Sequence, residues 1–152
     1  MASYVGLDIG EKRIGGAIWD VAAPFPAPLM TLEANPNLAH QFAQVIKKYT
    51  VSGVVVGLPR NQSGERTAQT SRVEKIVQLL QVPETVPLYW QDESLTSVKA
   101  EEELHKRKKP FSKGDVDALA ATYILNDFVQ TQLPVIKRHK TAQSNVNQKT
   151  PS

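Results

Sequence analysis

The hydrophobic pattern of the first third of the chain predicts strands. Residues 3–7 and 13–19 are two short apolar runs, joined by the connection Asp8-Ile9-Gly10-Glu11-Lys12. A third run, residues 29–32, follows the proline-rich segment APFPAP. Because short connections favour antiparallel pairing, these runs predict an antiparallel meander of three strands.

Helical spacing then alternates with short apolar runs. Asn35 and Pro36 supply a cap and a first-turn proline for a helix predicted over residues 36–49. Residues 53–58 are continuously apolar, as expected of a central strand that is covered on both faces. The further elements predicted are a helix around residues 73–80, a strand at 87–91, a helix from Thr96 that Pro110 stops, and a last helix that begins with the capping box of Ser112 and Asp115.

This order of elements predicts an α/β fold. Three consecutive strands followed by alternating units imply a mixed five-stranded sheet, with three antiparallel strands and then parallel ones, and helices on both faces. A length of 152 residues suits one such domain.

The amino-acid composition limits which kinds of protein and of reactive site are possible. The chain is 41% hydrophobic and 22% charged, which is typical of a globular protein. It has no apolar run long enough to span a bilayer and no secretory leader pattern, so we expect a cytoplasmic protein with no membrane contact. The chain contains no cysteine, which excludes disulfides, thiolate zinc sites and cysteine nucleophiles.

The net charge of +3 arises in the last part of the chain. Residues 133–152 contain four basic residues and no acid, whereas the remainder contains 14 basic and 15 acidic residues. The polar composition of this end predicts a folded domain over residues 1–132 and a basic, disordered tail over residues 133–152. Such a tail is either an auxiliary arm that binds nucleic acid or a solubilising extension.

Three acidic positions are candidates for catalysis. Asp8 ends an apolar strand and precedes Gly10, and Asp92 and Glu93 end a later strand. Side chains alternate along a strand, so one of that pair faces Asp8; we favour Glu93 and keep Asp92 as the alternative. Asp117 lies in the first turn of the last helix, at the border of its apolar face, where an acid alternatively serves only to stabilise the helix dipole.

Carboxylates gathered from separate elements repel one another unless a cation lies among them. Oxygen ligands favour Mg²⁺ or Mn²⁺ over zinc, and such a site suits hydrolysis of phosphodiester bonds with two metal ions. The loop after the central strand brings Arg60 and Asn61 to the same edge of the sheet, where they either contact a nucleic-acid backbone or belong to a plain surface loop.

Four segments in order carry a resemblance to a known family: GLDIGEKRIGGAIWD, VVVGLPRNQSGE, QDESLTSVKAE and KGDVDALAATYIL. Together they resemble the YqgF/RuvX family over Val5 to about Phe128. The resemblance implies a ribonuclease H-like fold and a nuclease that acts on the 5′ end of pre-16S ribosomal RNA or on branched DNA at Holliday junctions. It also implies that Asp8, Glu93 and Asp117 are the metal-binding acids.

The sequence departs from the family pattern at Ser94, where the family usually has arginine, and at Lys99, which replaces a common glutamate. Lys12, Arg13 or Arg60 are candidates to supply the missing positive charge, and with Asn61 they complete the predicted substrate contacts.

Other functions and assemblies remain open at this point. A sugar kinase or actin-like ATPase would need a second lobe and a second phosphate loop, for which the chain is too short. An inactive RNA-binding domain is a further alternative. A monomer suffices for trimming RNA, whereas cleavage of a junction at two strands implies a homodimer.

Overall fold

The computed structural model describes the backbone of residues 2–59, 68–93 and 96–149, and the side chains of residues 2–58, 68–92 and 99–137. Its strands are β1 (Ser3–Ile9), β2 (Arg13–Asp20), β3 (Ala27–Glu33), β4 (Val51–Pro59) and β5 (Leu88–Glu93). Its helices are α1 (Leu38–Lys48), α2 (Ala68–Leu80), α3 (Thr96–Lys106) and α4 (Lys113–Lys149).

The five strands form one mixed sheet in the order β3-β2-β1-β4-β5. The pairs β1–β2 and β2–β3 are antiparallel, and the pairs β1–β4 and β4–β5 are parallel. The predicted mixed sheet is therefore confirmed, with β1 at its centre.

Helices cover both faces of the sheet, as predicted. On one face, α1 and α2 bury a cluster that includes Leu7, Phe42 and Val73. On the other face, α4 buries a second cluster that includes Val55 and Phe128. We call these the α1/α2 face and the α4 face. Helix α3 packs on the outside of α4 through Ala100, Leu104 and Leu119.

Capping residues in the sequence predict the first residue of α4 correctly but not that of α1. The capping box of α4 forms as predicted: Ser112 N–H donates to Asp115 Oδ2 at 2.9 Å, and Asp115 N–H donates to Ser112 Oγ at 3.2 Å. Helix α1 begins at Leu38, two residues later than predicted. The prediction was wrong there because the Asn35 side chain accepts the Asn37 N–H at 2.9 Å and forms a turn before the helix.

The last helix runs past the predicted domain boundary. Helix α4 continues through residues 133–149, where the sequence predicts a disordered tail, and Leu133 is buried in the cluster on the α4 face. The physical reason is that Leu133 and Ile136 extend the apolar side of the helix beyond residue 132. The division of roles between a domain and a basic tail stays a prediction.

Within the described part of the chain, no helix combines the length and the apolar character that crossing a bilayer requires.

Candidate active site

Asp8 lies near the end of the central strand and is only 8% exposed. Its neighbours Leu7 and Ile9 belong to the cluster on the α1/α2 face. Because side chains alternate along a strand, Asp8 shares its row with Gly6, which lies directly against α4. Asp8 therefore belongs to the α4 face.

Helix α4 crosses this face diagonally. From its N-terminus it meets β3, β2, β1 and β5 in turn, through the pairs Gly114–Thr31, Asp117–Gly15, Ala121–Gly6 and Phe128–Tyr89. The crossing brings Asp117, at the start of the second turn of α4, over β2, next to the end of β1 that carries Asp8.

Gly15 sets the distance between α4 and the sheet at this point. It is the register partner of Asp8 on β2, and an added Cβ at Gly15 would lie 2.0 Å from the Asp117 carbonyl oxygen. Only a residue without a side chain allows that approach. Asp8 and the backbone of Asp117, separated by more than a hundred positions in the sequence, thus both lie beside Gly15 on the α4 face.

Asp117 is held by an ion pair that the sequence did not predict. Arg13 Nε donates to Asp117 Oδ2 at 3.0 Å, with the two side chains 34% and 18% exposed, respectively. Arg13 lies two residues before Gly15 on β2, so it belongs to the same row of the strand. The sequence predicts a substrate contact for Arg13, and the structure places its guanidinium on one of the candidate metal ligands.

The register of β5 separates Asp92 from Glu93. Tyr89 packs on Phe128, and Gln91 accepts a hydrogen bond from Gln132 at 2.6 Å, so this row of β5 belongs to the α4 face. Glu93 is the next position in that row, whereas Asp92 falls in the row of Trp90, which packs on the α1/α2 face. The Glu93 side chain lies outside the described residues, and its role as third ligand stays a prediction.

The remaining predicted contacts are only partly described. Lys12 is exposed in the turn between β1 and β2, and its carbonyl oxygen accepts the Ala34 N–H at 3.2 Å. Arg60 and Asn61 lie outside the described residues, so their predicted contacts with the nucleic-acid backbone stay predictions.

An open cavity of about 330 Å³ adjoins the ion pair. Its lining includes Arg13, Asp117 and Glu101, together with Ser112 and Lys113 at the start of α4. The cavity therefore has two cationic and two acidic side chains on its wall, and one of the acids is the candidate ligand Asp117.

The two described acids of the candidate site, Asp8 and Asp117, have the ligand chemistry that a hard divalent cation prefers. Asp8 and Asp117 offer carboxylate oxygens on one face, which is the ligand chemistry of Mg²⁺ and Mn²⁺. Among the side chains that the structure describes, no three acidic or histidine groups lie close enough to hold a metal ion. A third ligand would have to come from a position such as Glu93, beyond those side chains.

A comparison with models of protein families shows to which family the chain belongs. The model of the family described as RuvX, Holliday junction resolvase, matches residues 2–131. The chain belongs to this family. Its membership confirms the resemblance found in the sequence and the prediction that the protein is an enzyme that hydrolyses phosphodiester bonds.

Curated relatives match over most of their length. A protein of Chloroflexus aggregans (strain MD-66 / DSM 9485), named "Putative pre-16S rRNA nuclease", is 39% identical over 134 residues, which cover 86% of this chain and 94% of the relative. A protein of the same name from Crocosphaera subtropica (strain ATCC 51142 / BH68) is 37% identical and covers 84% and 92%, respectively.

Solved structures share the fold. Thermus thermophilus RuvC in complex with a Holliday junction substrate superposes with a TM-score of 0.54 at 15% identity, covering 86% of this chain and 96% of that one. The fowlpox virus resolvase bound to Holliday junction DNA superposes with a TM-score of 0.51 at 12% identity, covering 86% and 99%. These similarities confirm the ribonuclease H-like fold.

Sequence reasoning missed the two features that join Asp117 to the sheet. One is the close approach at Gly15, for which the sequence carries a usable signal, since two adjacent glycines inside a strand mark close backbone contact. The other is the pairing of Arg13 with Asp117, for which the sequence carries no signal, because a pair 104 positions apart depends on the path of α4.

Proposed function

We propose that this chain is a divalent-metal-dependent nuclease that processes the 5′ end of pre-16S ribosomal RNA. The observation that supports it is that the positions of Asp8 and Asp117 both lie beside Gly15 on one face of the sheet, in a chain of the RuvX family. The RNA substrate is carried over from the names of the curated relatives.

Asp8, Asp117 and Glu93 are the proposed ligands of Mg²⁺ or Mn²⁺. Two bound divalent ions would supply Lewis acidity there: one would lower the pKa of a water nucleophile, and the other would stabilise the leaving 3′ oxygen. The protein's own contribution is position: Asp8 is fixed by the central strand, and Asp117 is fixed at the start of the second turn of α4 by the contact of its backbone with Gly15.

The nucleic-acid backbone requires cations around the acids. Arg13 and Lys113 line the adjoining cavity, and Lys12 lies in the neighbouring turn. We assign these cations, together with Arg60 and Asn61, to contacts with phosphate groups on either side of the scissile bond, because guanidinium and ammonium groups are the usual partners of phosphate oxygens.

Cleavage of Holliday junctions is the second candidate function. The description of the matching family and the junction-bound structures with the same fold favour it. A junction must be cut on two strands, so this function requires a homodimer with two active sites, whereas trimming of RNA requires one site.

One preparation of the full chain, assayed at matched salt, tests both substrates. We expect Mg²⁺-dependent cleavage of an RNA that carries the 5′ leader of 16S ribosomal RNA, and weaker cleavage of a four-way DNA junction. Preferential cleavage of the junction by a dimer would instead favour the second function. Binding of the RNA without cleavage of either substrate would reduce the protein to an RNA-binding domain.

The adjacent acids of β5 provide a matched pair of variants for the site itself. Glu93→Gln should abolish cleavage, because Glu93 occupies the row of the α4 face. Asp92→Asn removes the same charge from the neighbouring position in the other row and should leave cleavage close to that of the wild type. The reverse result would assign the third ligand to Asp92.

A further inference from the structure

The positive charge next to the Asp117 carboxylate is supplied by another side chain of the protein, Arg13. Arg13 Nε lies 3.0 Å from Asp117 Oδ2, and both side chains are partly withdrawn from solvent. If Asp117 is a metal ligand, as the proposed function holds, then Arg13 and the metal ion make competing demands on one carboxylate.

The pairing of Arg13 with Asp117 lowers the metal affinity of the free protein. A guanidinium that donates to Oδ2 uses a lone pair of a ligand oxygen and places a positive charge beside the position of a divalent cation. Like charges repel, so metal binding in the absence of substrate must either displace Arg13 or proceed against its charge. The metal affinity of the free protein is lowered in both cases.

The cavity beside the pair offers Arg13 a second partner. Its volume of about 330 Å³ gives room for a phosphate group, and its wall holds the donors Arg13, Lys113 and Ser112 beside the acids Asp117 and Glu101. A guanidinium binds a phosphate as readily as a carboxylate, through the same planar donors. A backbone phosphate in this cavity would therefore draw Arg13 away from Asp117.

We propose that Arg13 is an exchange residue that couples metal binding to nucleic-acid binding. In the free protein it pairs with Asp117 and weakens metal binding; with nucleic acid bound it pairs with phosphate and leaves Asp117 to the metal. The coupling is reciprocal, so bound metal raises the affinity for nucleic acid by the same factor.

Titration of the full chain with Mn²⁺ tests this proposal without measuring activity. The free ion is followed by its EPR signal, first with the metal alone and then with a short oligothymidylate that a gel shows to remain intact. In the wild type, the oligonucleotide should tighten Mn²⁺ binding. In Arg13→Gln, Mn²⁺ alone should bind about tenfold more tightly, because one adjacent positive charge is gone, and most of the enhancement by the oligonucleotide should be lost.

Two variants separate charge at this position from other effects. Arg72→Gln removes an arginine from a second ion pair, with Glu11 at 3.2 Å, on the helix α2 that covers the opposite face; its Mn²⁺ affinity should equal that of the wild type. Arg13→Lys keeps the charge and should also keep the wild-type Mn²⁺ affinity. It loses the planar donors, so its coupling to the oligonucleotide should be weaker.

The opposite results overturn the exchange. One such result is that Arg13→Gln binds Mn²⁺ no more tightly than the wild type does. A second is that Arg72→Gln or Arg13→Lys gains as much Mn²⁺ affinity as Arg13→Gln. A third is that the oligonucleotide tightens Mn²⁺ binding in Arg13→Gln as much as it does in the wild type. If the wild type cleaves RNA while any of these holds, the proposed function stands and the exchange alone fails. If the wild type binds no Mn²⁺, both fail.

Discussion

Substitution of Gly15 by alanine is the sharpest test of how the site is assembled. The added Cβ would lie 2.0 Å from the carbonyl oxygen of Asp117, 2.2 Å from its carbonyl carbon and 2.8 Å from the nitrogen of Ala118. All three are backbone atoms, so no side-chain rotation relieves the overlap. Either β2 or the segment of α4 around Asp117 must move.

The size of the movement follows from the contact distance. Ordinary van der Waals contact begins at 3.4 Å, so the two backbones must separate by about 1.4 Å. Overpacking of this kind costs about 1–3 kcal/mol, which lowers the melting temperature of a chain of this size by about 2–12 °C. Because Asp117 moves with the helix, we expect cleavage to fall by about 100-fold, the usual effect of a misplacement of about 1 Å.

Gly114→Ala is the matched control, one helical turn earlier in α4. Its Cβ would meet the Thr31 hydroxyl at 3.3 Å and the Ser112 hydroxyl at 3.5 Å, so the Thr31 side chain must give way by only a few tenths of an ångström. Alanine is favoured over glycine in a helix by about 1 kcal/mol, so the melting temperature should be unchanged or higher and cleavage should be retained. The two glycine substitutions are thus expected to act in opposite directions.

Thermal unfolding and the RNA cleavage assay, run on the same preparations, test both glycine substitutions. A Gly15→Ala protein that melts and cleaves like the wild type would refute the close approach and, with it, the reasoning that joins Asp117 to Asp8. Equal losses in Gly114→Ala would show that the helix start is sensitive to any added methyl group.

Three further predictions concern separate parts of the molecule. Asp117→Asn should abolish cleavage and the rise in melting temperature caused by Mg²⁺, while the loss of a partly exposed ion pair costs at most about 1 kcal/mol; full activity with a lowered melting temperature would make Asp117 merely structural. Removal of residues 138–152, which keeps the buried Leu133, should leave the melting temperature unchanged and lower the salt dependence of binding to single strands by about 0.7 per lost phosphate contact; an unchanged slope would argue against contacts from this segment. Burial, with a smaller effect of Tyr89, raises the pKa of Tyr4 above its ordinary value of 10.0. The unfolded chain therefore loses this proton first, so the contribution of Tyr4 to stability should be constant up to about pH 10 and fall above it. Tyr4→Phe should reduce that alkaline loss in urea unfolding, and an equal loss in the variant would assign it to other groups.

Much of the candidate site was accessible from the sequence because its signals are local. Short apolar runs place Asp8 and Glu93 near strand ends, and the capping box of Ser112 and Asp115 identifies the start of α4 four residues before Asp117. Such patterns depend on neighbours within a few positions, and the backbone geometry of a strand or a helix converts them directly into structure.

Only the tertiary structure decided how these elements meet. The row that Glu93 occupies depends on the packing of Tyr89 and Gln91 against α4, and the position of Asp117 depends on how closely α4 approaches Gly15. The pairing of Arg13 with Asp117 joins residues 104 positions apart. Each of these contacts arises from the angle at which α4 crosses the sheet. That angle is set by packing over the whole face and not by any local pattern, so the sequence by itself determined which acids are candidates, and the fold determined which of them come together.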